Sequence, residues 1–277
     1  MLGAIIGDVV GSFYEVLEVK KIKNGHRSYK ERIKILDKNT PLFTSDCSVT
    51  DDSILTFAIY KAIKENAPYE TMLKEYAKKE INLGKDMYGR SRFGKGFVEW
   101  VKGNTEGTSY GNGASMRISP VGYLFDTLDE VKQETYKATI PSHNHEESLL
   151  CAEAVSTSIF LLRQGISKEE LKEYIEKNYF KLDYDLDDLR KNYRFSSKSI
   201  DSVPQAIFTF LESNSFEDTI RNAISIGGDT DTIACIAGSL AEAHYGIPEE
   251  LIKQVTPYLK DYMLELLDKE KIYQKRW

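Results

Sequence analysis

Apolar residues recur along this chain at helical rather than strand spacing. Ile54, Leu55, Ala58, Ile59, Ala62 and Ile63 form one stripe and Ile233, Ile236, Ala237, Leu240 and Ala241 another, each predicting an amphipathic helix turned towards a core. The same period runs through residues 69–81, 128–137, 146–162, 168–178, 203–211, 216–224 and 249–267, and the N-terminal segment reads as a further, mostly apolar helix. No convincing pair of alternating strands interrupts the pattern, so the predicted class is all-α. The period lapses over residues 103–119, where Gly, Asn and Ser cluster, and over the charged, Tyr-rich stretch 180–198; these read as the two significant loops. Neither has the composition of a flexible linker and no segment repeats at fixed period, which favours a single domain over residues 1–277.

Composition narrows the function classes. Apolar residues make up 41% of the chain, enough for a continuous core. A net charge of -6 with no basic stripe disfavours binding of unmodified nucleic acid, while a modified one can still present its modification to a pocket. Residues 1–10 are apolar but contain Asp8 and lack a basic leader, and no run approaches the roughly 18 apolar residues that span a bilayer. Neither export nor a membrane anchor is expected. Cys47, Cys151 and Cys235 are odd in number and lack CxxC spacing, which argues against disulfides or structural zinc and for the reducing cytoplasm.

Acidic residues supply the candidate chemistry. Thr50-Asp51-Asp52 precedes the helix expected from about Ser53, and Gly228-Asp229-Thr230-Asp231-Thr232 precedes the one expected from about Ile233. Either cluster alone is explained by helix capping, since Asp and Thr oxygens accept from the free amides of a first turn. Capping needs one such residue, however, and four carboxylates brought together would repel unless cations lay between them. Oxygen-only ligands suit magnesium, manganese or calcium rather than zinc. Gly3-x-x-x-Gly7-Asp8-x-x-Gly11, followed by Glu15, fits close helix packing, with Asp8 either structural or part of a site.

Ser109-Tyr110-Gly111-Asn112-Gly113-Ala114-Ser115-Met116-Arg117 reads either as a plain turn or as a loop whose backbone amides cradle phosphate, with Arg117 for an anion or carboxylate and Tyr110 for stacking. Of His143 and His145, spaced too closely for a zinc pair on a helix, one can cap the next helix or touch a ligand. A thiolate at Cys47 is disfavoured by the neighbouring carboxylates, and no Ser-His-Asp elbow, P-loop or GxGxxG after a strand is present.

In order along the chain, GxxxGDxxG with Glu15, TDD at 50–52, SYGNGASMR at 109–117, SH at 142–143 and GGDTDT at 227–232 resemble the ADP-ribosylglycohydrolase family. The resemblance covers residue 3 to about 248, with 180–198 looking variable. It implies a compact orthogonal helical bundle holding two magnesium ions, with manganese as a substitute, at the residues matching Thr50, Asp51, Asp52, Asp229, Asp231 and Thr232. Catalysis falls to Glu15, as general acid/base at the scissile bond, and to Asp229. Substrate contacts fall to Ser109, Tyr110, Gly111, Asn112, Gly113, Ser115, Met116, Arg117 and His143.

The implied reaction is hydrolysis of the bond between the proximal ribose of ADP-ribose and its acceptor, on a modified protein, nucleic acid or small molecule, through an oxocarbenium-like state. Some relatives carry a further catalytic aspartate between the two halves. Residues 86–100, DMYGRSRFGKGFVEW, show no match to it, so arginine is not singled out as the acceptor. The segments 88–100 and 180–198 are the candidates for substrate choice. A magnesium-dependent phosphohydrolase and a non-catalytic ADP-ribose-binding or structural relative are the competing readings.

Overall fold

The computed structural model describes residues 1–22, 28–84 and 91–268. Among them every regular element is helical, and the only ladder contacts are isolated bridges between Thr108 and His143 and between Gly111 and Lys198. The helices are α1 (Leu2–Ile22), α2 (Ser28–Lys34), α3 (Asp51–Glu65), α4 (Tyr69–Asn82), α5 (Lys95–Lys102), α6 (Gly113–Arg117), α7 (Ser119–Leu124), α8 (Leu128–His143), α9 (Glu146–Arg163), α10 (Lys168–Asn178), α11 (Leu186–Asn192), α12 (Ser199–Leu211), α13 (Phe216–Ser225), α14 (Thr230–Tyr245) and α15 (Glu249–Val255).

α14 is the axis of the molecule. It packs against α1, α9, α12 and α13, and every residue from Thr230 to Ala241 is buried. The sequence pattern predicted an amphipathic helix there; with neighbours on several sides the helix is instead enclosed, and Ser239 Oγ is satisfied by the helix's own backbone, donating to the Ile236 carbonyl at 2.6 Å. α3 is likewise buried over most of its circumference.

The glycines of α1 set its distance from α14. A methyl group on Gly7 would overlap the Ala234 carbonyl, and one on Gly11 would lie 2.6 Å from Asp231 Cα. Thr230 Oγ1 closes the seam by donating to the Gly11 carbonyl at 2.9 Å. This backbone contact carries Asp8 and Glu15 to the N-terminus of α14.

The other departures from the sequence reading have local causes. The segment 249–267 is not one helix: Pro257 lacks the amide that α15 would need, so the chain continues as 3-10 turns at Thr256–Tyr258 and Asp261–Leu267. The two expected loops contain short helices, α6 and α7 around the first and α11 in the second. α8 runs on to His143 through Pro141. α3 and α14 begin at Asp51 and Thr230, two and three residues before the starts read from the sequence, so Asp51, Asp52 and Asp231 lie within the first turns and Asp229 at the cap position of α14.

Candidate active site

The helix N-termini of α3 and α14 meet α1 at one acidic centre. Carboxylate oxygens of Asp8, Asp52 and Asp231 lie within 4.8 Å of one another, and so do those of Glu15, Asp229 and Asp231. Asp231 belongs to both groups. Asp51 lines the same cleft but falls in neither.

Capping accounts for Thr50 and not for the aspartates. Asp52 N donates to Thr50 Oγ1 at 3.3 Å, whereas Asp229, at the cap position of α14, makes no capping bond and accepts instead from Asn112 Nδ2 at 2.7 Å. Asp8 binds α3 from outside: its oxygens accept from Thr50 N at 3.0 Å, Thr50 Oγ1 at 2.6 Å, Ser53 N at 3.1 Å and the Ser53 hydroxyl. Thr232 N donates to Asp231 Oδ1 at 2.9 Å, and the Thr232 hydroxyl faces Met116 Sδ.

Burial raises these carboxyl pKa values. Asp8 and Asp229 are each pushed up to about 6, the hydrogen bonds with Ser53 and Thr50 and with Asp231 and Asn112 respectively working in the opposite direction. Asp51, Asp52 and Asp231 are held well above the usual carboxylate range by burial and then by each other's and their neighbours' charge. Asp52 Oδ1 is buried and accepts no hydrogen bond. An orphaned carboxylate oxygen in one acidic group that shares Asp231 with a second fits hard divalent cations, which take oxygen ligands.

The 109–117 loop forms the next wall. Within α6, Gly113, Met116 and Arg117 border the cleft, while Ala114 and Ser115 do not: the helical turn directs both into the interior, and Ser115 is 1% exposed. Two of the amides expected to cradle phosphate are engaged within the protein, Gly111 N with Ser109 Oγ at 3.1 Å and Asn112 N with the Ser197 carbonyl at 2.8 Å. Tyr110 is half exposed at the rim. Arg117 is buried, its pKa pushed down to about 9 by that burial, and Nη2 donates to Ser142 Oγ at 2.6 Å.

The two histidine readings divide between the two residues. His145 caps α9, accepting from Glu147 N, and His143 lines the cleft. Ser142 Oγ lies 2.8 Å from His143 Nδ1. The serine oxygen accepts from Arg117 and keeps its own proton for donation; when that proton goes to Nδ1, Nε2 carries the ring proton and is the donor into the cleft. Burial, and then Arg117, hold the ring pKa well below its usual value, so it is neutral. A methyl on Gly113 would come 2.9 Å from that Nε2, so glycine keeps the ring's place open.

The cleft has a volume of about 810 Å³ and a further wall that residue chemistry alone did not single out: Phe93, Phe97 and Trp100, with Arg92 beside them. Their i, i+4, i+7 spacing is the signal that was present. The candidate segment 88–100 therefore reaches the cleft from Ser91 onwards, while Tyr88, Gly89 and Arg90, like residues 86 and 87 of the stretch without a matching aspartate, lie outside the described residues. From 180–198 only Phe195 and Ser197 border the cleft. The three cysteines are free and buried, and burial, with lesser contributions from Asp46 and Asp8, raises the Cys47 thiol pKa.

The described residues thus form an all-helical bundle with two overlapping acidic groups where α1 meets the N-termini of α3 and α14, beside a Gly-rich loop, an arrangement with the oxygen ligands to hold a metal ion. The family model described as ADP-ribosylglycohydrolase matches residues 1–277, and the chain belongs to that family. It is 22% identical over 305 residues to the ADP-ribosylarginine hydrolase Tri1 of Pseudomonas putida (strain GB-1), covering 97% of this chain and 77% of the relative. It is 24% identical over 325 residues to the ADP-ribosylhydrolase ARH3 of Mus musculus, covering 90% and 83%. Among solved structures, one titled "ADP-ribosylglycohydrolase-related protein complex" superposes with a TM-score of 0.63 at 16% identity, covering 91% of this chain and 89% of that one, a likeness of fold. Among the described residues no helix is long and apolar enough to cross a membrane.

Proposed function

We propose that this chain, acting as one domain, hydrolyses the glycosidic bond between the proximal ribose of an ADP-ribosyl group and its acceptor, using two magnesium ions or manganese in their place. The observation that carries the reading is the pair of carboxylate groups sharing Asp231 on the wall of a cleft also bordered by the 109–117 loop. Asp52, Asp229 and Asp231 are the proposed cation ligands, with Thr50, Asp51 and Thr232 beside them. When bound, hard cations supply Lewis acidity and fix vicinal hydroxyls near the scissile bond.

The chain's own groups do the rest. Glu15, partly exposed in the cleft, exchanges a proton at the scissile bond. Asn112 fixes the carboxylate of Asp229. His143 offers Nε2–H to the ligand, Ser109, Gly111, Gly113 and Met116 shape its bed, Tyr110 presents a ring face for stacking, and Arg117 acts by holding Ser142 and thus His143. Ser115 has no direct part. The acceptor is an ADP-ribosylated protein, nucleic acid or small molecule, and the cytoplasm is the proposed location.

The test is incubation with arginine-, serine- and nucleic-acid-linked ADP-ribose, in magnesium or in chelator, with products separated by chromatography. Magnesium-dependent release of free ADP-ribose from one substrate, lost in Asp229→Ala, is expected. Release of AMP instead would identify a phosphohydrolase, and no release from any of these substrates by the cation-loaded protein would overturn the protein and nucleic-acid acceptors and leave a small-molecule acceptor or a lost activity.

A further inference from the structure

The segment read from the sequence as a variable loop runs as a strap between the two halves of the cleft. Its first anchor is on α13: Arg190 donates from Nε to Ser225 Oγ at 3.0 Å and from Nη2 to Asn222 Oδ1 at 2.9 Å, just before the double glycine that leads to Asp229. Tyr193 follows, with its ring laid on Gly228. A methyl group there would overlap Tyr193 Cε1 and lie 3.1 Å from Cδ1. The ring is held at both ends, since Tyr193 N donates to the Leu189 carbonyl at 2.9 Å and the phenol donates to the Asp201 carbonyl at 2.7 Å.

The far end of the strap joins the Gly-rich loop. Asn112 N donates to the Ser197 carbonyl, Ser199 N to the Tyr110 carbonyl at 3.1 Å, and Ser199 Oγ to the Gly111 carbonyl at 2.6 Å. Asn112 in turn holds Asp229. The strap thus touches the acidic centre along two routes, through Asn112 to the side chain of Asp229 and through Tyr193 to the backbone before it.

That backbone is where support matters. Gly227 and Gly228 have φ of 79° and 78°, a region that consecutive glycines enter and leave at little cost, and Asp229 follows directly. We propose that Tyr193 is a positioning residue for the cation centre: its ring, packed on Gly228, holds the Gly227-Gly228 turn in the conformation that directs Asp229 and Asp231 into their shared group. This rests on the reading of the acidic centre as a divalent-cation site.

The experiment is calorimetric titration of the full chain with Mn2+, without nucleotide, for the unaltered protein, Tyr193→Ala and Tyr193→Phe, with helical content checked by far-UV circular dichroism. Tyr193→Ala is expected to weaken Mn2+ binding about tenfold, as removal of a ligand-orienting group does. Tyr193→Phe keeps the ring and loses only the bond to Asp201, and is expected to stay within about twofold of the unaltered protein. If Tyr193→Ala does not fold, Tyr193→Leu takes its place with the same expected direction. Unchanged Mn2+ affinity in the alanine or leucine variant overturns the inference alone, as does a phenylalanine variant that falls as far as alanine. Failure of the unaltered chain to bind Mn2+ overturns the cation reading and the inference with it.

Discussion

Asn112 and Ser142 both border the cleft and each is hydrogen-bonded to a further cleft residue, in different halves of the site. Asn112 holds a carboxylate of the acidic centre, so Asn112→Leu is expected to weaken Mn2+ binding about tenfold, measured by calorimetry without nucleotide. Ser142 is hydrogen-bonded to His143 Nδ1. Ser142→Ala is expected to leave Mn2+ affinity unchanged and to weaken ADP-ribose binding several-fold, on the order of the 1 kcal/mol that one oriented hydrogen bond contributes. The sequence could show that aspartates and a Gly/Asn loop were present, since chemistry is written in residue types. It could not show that Asn112 turns to Asp229, that Ser115 turns inwards, or that Asp8 binds the amides of α3, because those depend on how separate helices meet.

At the scale of elements, long helices were legible and short ones were not. α4, α8, α9, α10, α12 and α13 each carry several turns of apolar period, whereas α6 has five residues of Gly, Ala and Ser character that read equally well as a turn. The glycine spacing of α1 was legible as close packing, and the structure supplies its partner, α14. Gly7→Val would force the two backbones apart at Ala234. Overpacking of this kind costs about 1–3 kcal/mol, so a fall in melting temperature of roughly 2–12 °C is expected in differential scanning calorimetry, accompanied by weaker Mn2+ binding because Asp8 and Glu15 ride on α1. The role of the strap was illegible for a different reason. Its charged, Tyr-rich composition marks a surface segment, and only the folded chain places Tyr193 on Gly228.

For the whole molecule, the acidic centre links stability to pH and, with the proposed cations bound, to their concentration. Asp8 and Asp229 have folded pKa values of about 6, above the ordinary 3.8, so in the cation-free protein their burial as anions costs stability above pH 6 and costs nothing once pH falls below the unfolded value. A divalent cation bound at the proposed site would offset that cost at Asp229 and compete with its proton at lower pH. The rise in melting temperature given by magnesium over chelator is therefore expected to be large at pH 8 and to shrink as pH falls through 6; an equal rise at pH 5 and pH 8 would contradict this. The seam between α1 and α14 also bears on the order of folding. Gly11 and Thr230, which touch across it, are 219 residues apart in the chain, so the acidic centre is completed only when one of the longest loops in the protein closes. A ligand that recognises only the finished article cannot hasten its assembly. In stopped-flow measurements magnesium should leave the refolding rate as it is and slow unfolding, so that the ion acts as a latch on the closed chain rather than a template for it.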